Sequence, residues 1–257
     1  MRRIALPLLG VLFGATQLAA IDIHRTVSSI ATSAGELEME EYASGAAIAD
    51  VPVIVLLSGS GGVQSPNMPF ESQAQLFAGG GYRVYIPHYM NVTHGSPRDP
   101  IKHYAIWAQA VRDALSFIQV QTHISPLRIA LVGYSLGASV ALAAAAGESR
   151  LAGIVIWSGS LPDAYVSAFD RLPPLLILHG AQDMGIPVFN ARQLAELCEL
   201  KHGVCKLSIY AEEGHAFSSA GIRRADREIE AFLEGILPGK GPLAYARGYW
   251  LSAINCW

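Results

Sequence analysis

Apolar residues fall along the chain in short unbroken runs, separated by longer stretches where they recur every three or four positions. The runs at residues 51–57, 82–87, 127–132, 153–157, 174–178 and 206–210 are bounded by Gly, Pro or Ser. Continuous apolar runs of that length are expected of strands covered on both faces. Residues 36–42 instead alternate charged and apolar side chains, the pattern of an edge strand. Between the runs, residues 103–120 place Ile106, Trp107, Ala110, Val111, Ala114, Leu115 and Ile118 on one helical stripe. Further helices are expected over 71–78, 135–146, 188–200 and 223–233. Strands alternating with helices predict the α/β class, a mostly parallel central sheet with helices on both faces.

Composition narrows the setting. The chain has 257 residues, half of them hydrophobic, and a formal net charge of −3. It carries no basic footprint for nucleic acid, so a small-molecule substrate is the expectation. The first 20 residues, "MRRIALPLLGVLFGATQLAA", join Arg2 and Arg3 to an apolar stretch ending in Ala19 and Ala20, the pattern of a signal peptide. Pro7, Gly10, Gly14 and Gln17 make the stretch a poor anchor, since a span needs about 20 apolar residues. Residues 1–20 are therefore read as a cleaved leader, leaving no stable membrane span and a protein exported to the periplasm or secreted. Residues 21–257 are read as a single domain with a C-terminal extension from about residue 239. In an oxidising compartment Cys198 and Cys205, seven positions apart, can close a disulfide across a turn, the rival being unpaired thiols. Cys256 is left over, and the oligomeric state stays open.

In open sheets of this class ligands collect at the carboxyl ends of the strands. There the run at 127–132 leads into Gly133-Tyr134-Ser135-Leu136-Gly137. A strand turning sharply into a helix would strain Ser135 and expose its hydroxyl, and Gly133 and Gly137 remove side chains that would collide in the joint. A hydroxyl needs a base, and the base needs an orienting acid. Asp183 lies just past the run at 174–178 and His215 just past that at 206–210. Asp163, after the run at 153–157, is the rival acid. Ser58 to Gly62, "SGSGG", follows the first run, and the backbone N–H groups of Ser60 and Leu136 are the expected oxyanion donors.

The segments "VIVLLSGSGG", "GYRVYIPHY", "RIALVGYSLGAS", "LLILHGAQDMGIPVFNA" and "YAEEGHAF" together resemble the α/β-hydrolase superfamily, and within it the dienelactone-hydrolase-like group. The resemblance implies the α/β-hydrolase fold and a Ser135, His215, Asp183 triad, with no cofactor. Two features depart from dienelactone hydrolases proper. Their nucleophile is cysteine where this chain has Ser135, and their first-loop glutamate is replaced by Gly59. The expected activity is hydrolysis of a carboxylic ester through an acyl-enzyme. Peptidase, thioesterase and acyltransferase chemistry on the same fold, and a non-catalytic secreted binding protein, are the alternatives.

Other residues receive plainer readings. His179 is expected to support the Asp183 loop. His88, His94 and His103 lack a Glu partner at ligand spacing, so no metal is expected, although they could line the cleft. His94, Arg98 and Lys102 make one loop basic, either a solvated loop or a contact for a substrate carboxylate. Trp107 and Phe117 are read as core.

Overall fold

The computed structural model describes residues 22–45, 51–66, 68–94, 99–146 and 151–237. Eight strands form one sheet in the order β1-β2-β4-β3-β5-β6-β7-β8. The strands are β1 (Ile23–Thr32), β2 (Gly35–Ser44), β3 (Val53–Leu57), β4 (Arg83–Pro87), β5 (Ile129–Tyr134), β6 (Gly153–Trp157), β7 (Leu175–Gly180) and β8 (Cys205–Tyr210). From β4 to β8 every neighbouring pair is parallel, while β1 and β2 join as an antiparallel hairpin at one side.

Period-two alternation explains why the central strands read as unbroken apolar runs. In β3, Val53, Val55 and Leu57 enter the cluster on one face, and Ile54 and Leu56 enter that on the other. The first face is covered by α2 (Pro100–Thr122), α3 (Leu136–Ala145) and α4 (Phe189–Leu200). The second is covered by α1 (Phe70–Gly79) and α5 (Ser219–Ile236). Helix α3 is buried along its whole length; its five alanines and Gly137 let it wedge against β5, β6 and α2.

Two expectations need correcting. Residues 36–42 do not form the sheet's edge: β2 pairs with β4 on one side and β1 on the other. The edge on that side is β1, whose sequence IHRTVSSIAT is mostly exposed and too polar to register as a sheet strand; β8, expected to be covered on both faces, is the other edge and only half-buried. The helix expected over 135–146 begins one residue later, because β5 runs on to Tyr134 and Ser135 is the turn itself. The proposed leader, the C-terminal extension and Cys256 with it lie outside the described residues.

The two remaining cysteines come together. Cys198 at the end of α4 and Cys205 at the start of β8 are joined as a disulfide, with Cα atoms 6.4 Å apart. The bridge lies at the edge of the sheet opposite the carboxyl ends of the parallel strands, so it braces the scaffold from behind.

Candidate active site

Ser135 stands where β5 gives way to α3, with φ 54° and ψ −120°. A serine rarely adopts a positive φ, and this one is held by backbone bonds on both sides. Its N–H donates to Trp157 O at 2.8 Å, and its carbonyl accepts from Ala138 N at 3.0 Å. The flanking glycines answer a steric demand. A Cβ on Gly133 would lie 2.5 Å from Ala138 Cα, and one on Gly137 would collide with Leu57 O and come 2.5 Å from Ser58 O.

Three side chains from three strand ends meet in a line. Ser135 Oγ is 2.8 Å from His215 Nε2, and His215 Nδ1 is 2.8 Å from Asp183 Oδ2. Because Asp183 Oδ2 can only accept, His215 Nδ1 carries a hydrogen, leaving Nε2 of the neutral ring free to accept from the serine hydroxyl. Asp183 is fixed in turn. Its Oδ1 accepts from the N–H groups of Gly185 and Ile186, both at 2.8 Å. His179, wholly buried, donates from Nε2 to Ile186 O at 2.8 Å and lies 3.3 Å from Asp183 Oδ2.

The loop carrying His215 is also tied down. Tyr134 OH donates to His215 O at 3.1 Å, and the two rings lie 5.6 Å apart. Burial, and then the charge of Asp183, push the Tyr134 phenol up to about 12, so it stays a donor at neutral pH. Two residues before His215, Glu213 accepts from Ser218 N at 2.6 Å and Ser218 Oγ at 2.7 Å, clamping the loop to the start of α5. Ser218 caps that helix by accepting from Gly221 N.

The glycine-rich segment after β3 passes directly beside the serine. A Cβ on Gly59 would sit 3.3 Å from Ser135 Cβ and 3.1 Å from Tyr134 Cδ1. Residues 59–62 form a turn in which Gly62 N donates to Gly59 O at 2.9 Å. Leu136 is the first residue of α3, so its N–H has no acceptor within the helix. The positive end of the α3 dipole lies at the same place.

The remaining sequence candidates fall elsewhere. Asp163 is exposed at the head of a 3-10 turn, and it is Asp183 that His215 meets. His88 engages Glu40 at 2.9 Å, and the His103 ring rests 5.2 Å from that of Trp107. Lys102 pairs with Asp99, and Arg98 lies outside the described residues. Trp107 is fully buried and Phe117 partly so. Among the described residues no group of His, Cys, Asp or Glu is arranged to hold a metal ion, and no helix is long and apolar enough to cross a membrane. Sequence reading missed Tyr134, Glu213 and Tyr89 as supports. All three lie inside the quoted segments, but the roles of Tyr134 and Tyr89 depend on contacts 81 and 31 residues away.

The sequence model of the dienelactone hydrolase family matches residues 39–231, three quarters of the chain. The chain belongs to the dienelactone hydrolase family. A protein of Methylorubrum extorquens named "Putative carboxymethylenebutenolidase" is 30% identical over 122 residues. That match takes in 43% of this chain and 42% of the relative, so the chain spans under half the length of the curated relative it matches. A dienelactone hydrolase-like promiscuous phosphotriesterase from metagenomic libraries shares the fold with a TM-score of 0.71 at 14% identity, over 82% of this chain and 98% of its own. Thermogutta terrifontis esterase 2, solved phosphonylated by cyclosarin, superposes with a TM-score of 0.66 at 19% identity, over 82% of this chain and 94% of its own. At such identities these two structures speak for an α/β-hydrolase fold alone.

Proposed function

We propose that this member of the dienelactone hydrolase family is an exported serine hydrolase that cleaves carboxylic esters of small molecules through an acyl-enzyme. The observation that carries the reading is the unbroken chain Ser135 Oγ, His215, Asp183, with both contacts at 2.8 Å. Ser135 attacks the ester carbonyl carbon while His215 Nε2 takes its proton. Asp183 holds the ring in the required tautomer and stabilises the imidazolium. The N–H groups of Leu136 and Ser60 donate to the oxygen as it gains charge. Collapse of the tetrahedral species expels the alcohol, which takes its proton from His215. Water, deprotonated by His215, then attacks the acyl-serine and releases the acid. No cofactor enters this scheme.

Two observations support export: the leader-like first 20 residues and the disulfide, a bond that persists in oxidising compartments. Intact mass of protein recovered from the periplasm or medium tests it, with a mature chain starting after Ala20 expected.

A fluorophosphonate probe tests the catalytic reading. The mature protein is expected to be labelled with one equivalent at Ser135, to lose labelling in Ser135→Ala, and to turn over short-chain esters faster than thioesters or peptides. Labelling that survives in Ser135→Ala would sink the assignment.

A further inference from the structure

We propose that Tyr89 is a positioning residue for the oxyanion donor Ser60 N–H, acting through the carbonyl of Ser58. The inference rests on the catalytic reading above and extends it to a buried phenol that the triad does not touch.

Tyr89 is wholly buried in the 3-10 turn that follows β4, and its hydroxyl donates to Ser58 O at 2.6 Å. Ser58 is buried too, at the point where β3 ends and the glycine-rich segment begins. A carbonyl oxygen can only accept, and burial pushes the Tyr89 phenol well up, so the hydrogen stays on tyrosine. The ring is held edge-on against Trp107 at 5.8 Å, and Trp107 Nε1 donates to Thr93 Oγ1 at 2.8 Å. The residue before it, His88, is fastened to β2 twice, by its N–H to Glu38 O and its ring to Glu40. Tyr89 therefore points from a rigid base.

Peptide planarity turns that contact into an orientation. In a trans peptide the C=O of one residue and the N–H of the next point in opposite directions. Tyr89 fixes the Ser58 C=O, and so aims the Gly59 N–H away from Tyr89. The Gly62 N–H fixes the Gly59 C=O inside the turn, and so aims the Ser60 N–H out of it. Both peptide units flanking Gly59 are pinned, one by a side chain and one by the turn. Gly59 is also the residue in contact with Ser135 and Tyr134. Its lack of a Cβ gives the backbone freedom to swing, and the Tyr89 hydroxyl removes that freedom. Without it Ser58 O is a buried acceptor that has lost its phenol donor, held only by its packing against the Gly137 backbone, and the Ser60 N–H beyond Gly59 is aimed less firmly.

Tyr89→Phe tests this, because it keeps the ring and deletes only the donor. The readout is kcat for an ester and for the matching thionoester, in which sulfur replaces the carbonyl oxygen. Developing charge on sulfur draws less from N–H donors, so misaimed donors penalise the ester more. Tyr89→Phe is expected to lower kcat on the ester about tenfold or more, with KM within about twofold and the ester-to-thionoester ratio reduced. Ile118→Ala, buried in the same core three turns further along α2, separates packing from aim: it is expected to lower the Tm and leave the ratio where it was. An active wild type with an unchanged ratio in Tyr89→Phe overturns the assignment of Tyr89, as does a ratio that falls equally in Ile118→Ala. A wild type that turns over neither substrate and resists the fluorophosphonate overturns the hydrolase reading itself, and this inference with it.

Discussion

His179 Nε2 lies 3.3 Å from Asp183 Oδ2, and both side chains are completely buried. The same nitrogen donates to Ile186 O at 2.8 Å, so one imidazole spans the loop that carries the acid and fixes where its carboxylate points. The donor, rather than the ring, makes the contact. His179→Leu is therefore expected to lower kcat on esters about tenfold to a hundredfold, while His179→Gln, which can place an amide N–H near the same spot, recovers most of it. Steady-state kinetics of the two variants, with circular dichroism to confirm folding, check the contrast.

The joint beneath Ser135 admits no side chain at Gly137. Added Cβ atoms meet backbone there, Leu57 O and Ser58 O, and backbone in the middle of a sheet cannot step aside as a flexible side chain can. Gly137→Ala is expected to destabilise the fold by about 3 kcal/mol. Gly59→Ala meets a milder constraint, 3.1 Å to the Tyr134 ring edge and 3.3 Å to Ser135 Cβ. It is expected to fold and to lose activity. Urea denaturation beside ester turnover separates the two outcomes.

That contrast bears on what could be read from the residues alone. Strands β3 to β7 were legible because burial on both faces leaves short apolar runs bounded by Gly, Pro or Ser, and β8, half-buried at the sheet's edge, still shows a run of the same length. The meeting of Ser135, Asp183 and His215 was legible because each follows such a run, and parallel strands deliver their carboxyl ends to one edge. Strand β1 was not, since its pairing with β2 rests on backbone bonds and its side chains mostly face water. The supports were hidden for another reason. Tyr89 to Ser58 spans 31 positions and Tyr134 to His215 spans 81, and no local pattern encodes a contact between a phenol and a distant carbonyl.

Asp226 on α5 accepts from Gln73 Nε2 on α1 at 2.9 Å, joining the two helices that cover one face of the sheet. Burial pushes its carboxyl up to about 6, against the opposing pull of Gln73 and Arg227. A raised carboxyl means the folded state holds the proton more tightly than the unfolded chain. Stability from this site is therefore fully present below about pH 4, and is lost as pH rises through 6. Asp226→Asn keeps the acceptor for Gln73 and abolishes the charge. It is expected to stabilise the protein at pH 7.5, on the order of 2 kcal/mol after allowing for partial solvent access, and to match wild type at pH 4. Urea unfolding at the two pH values decides it.

Glu40 shows the opposite sign at the hairpin side of the sheet. Burial works against its charge, yet hydrogen bonds from Arg25, Tyr42 and His88 outweigh it and hold the carboxyl down at about 2. Arg25 Nε and Tyr42 OH reach Oε2 at 2.7 Å each, and His88 Nε2 lies 2.9 Å from Oε1. A depressed carboxyl contributes stability above its ordinary value of 4.5, and that contribution disappears as pH falls toward 2. Glu40→Gln removes the charge but leaves three groups facing a neutral amide, one of them half-exposed Arg25. The variant is expected to be less stable than wild type by about 1–2 kcal/mol at pH 7, with the gap closing below pH 3. Because Glu40 anchors His88, the residue before Tyr89, the loss also reaches the active-site side of the sheet. Ester turnover at pH 7 is expected to fall several-fold in Glu40→Gln, by the same route as in Tyr89→Phe and to a smaller extent. Acid-unfolding curves paired with the ester-to-thionoester ratio test both halves. A variant that unfolds earlier but keeps the wild-type ratio confines Glu40 to holding the hairpin.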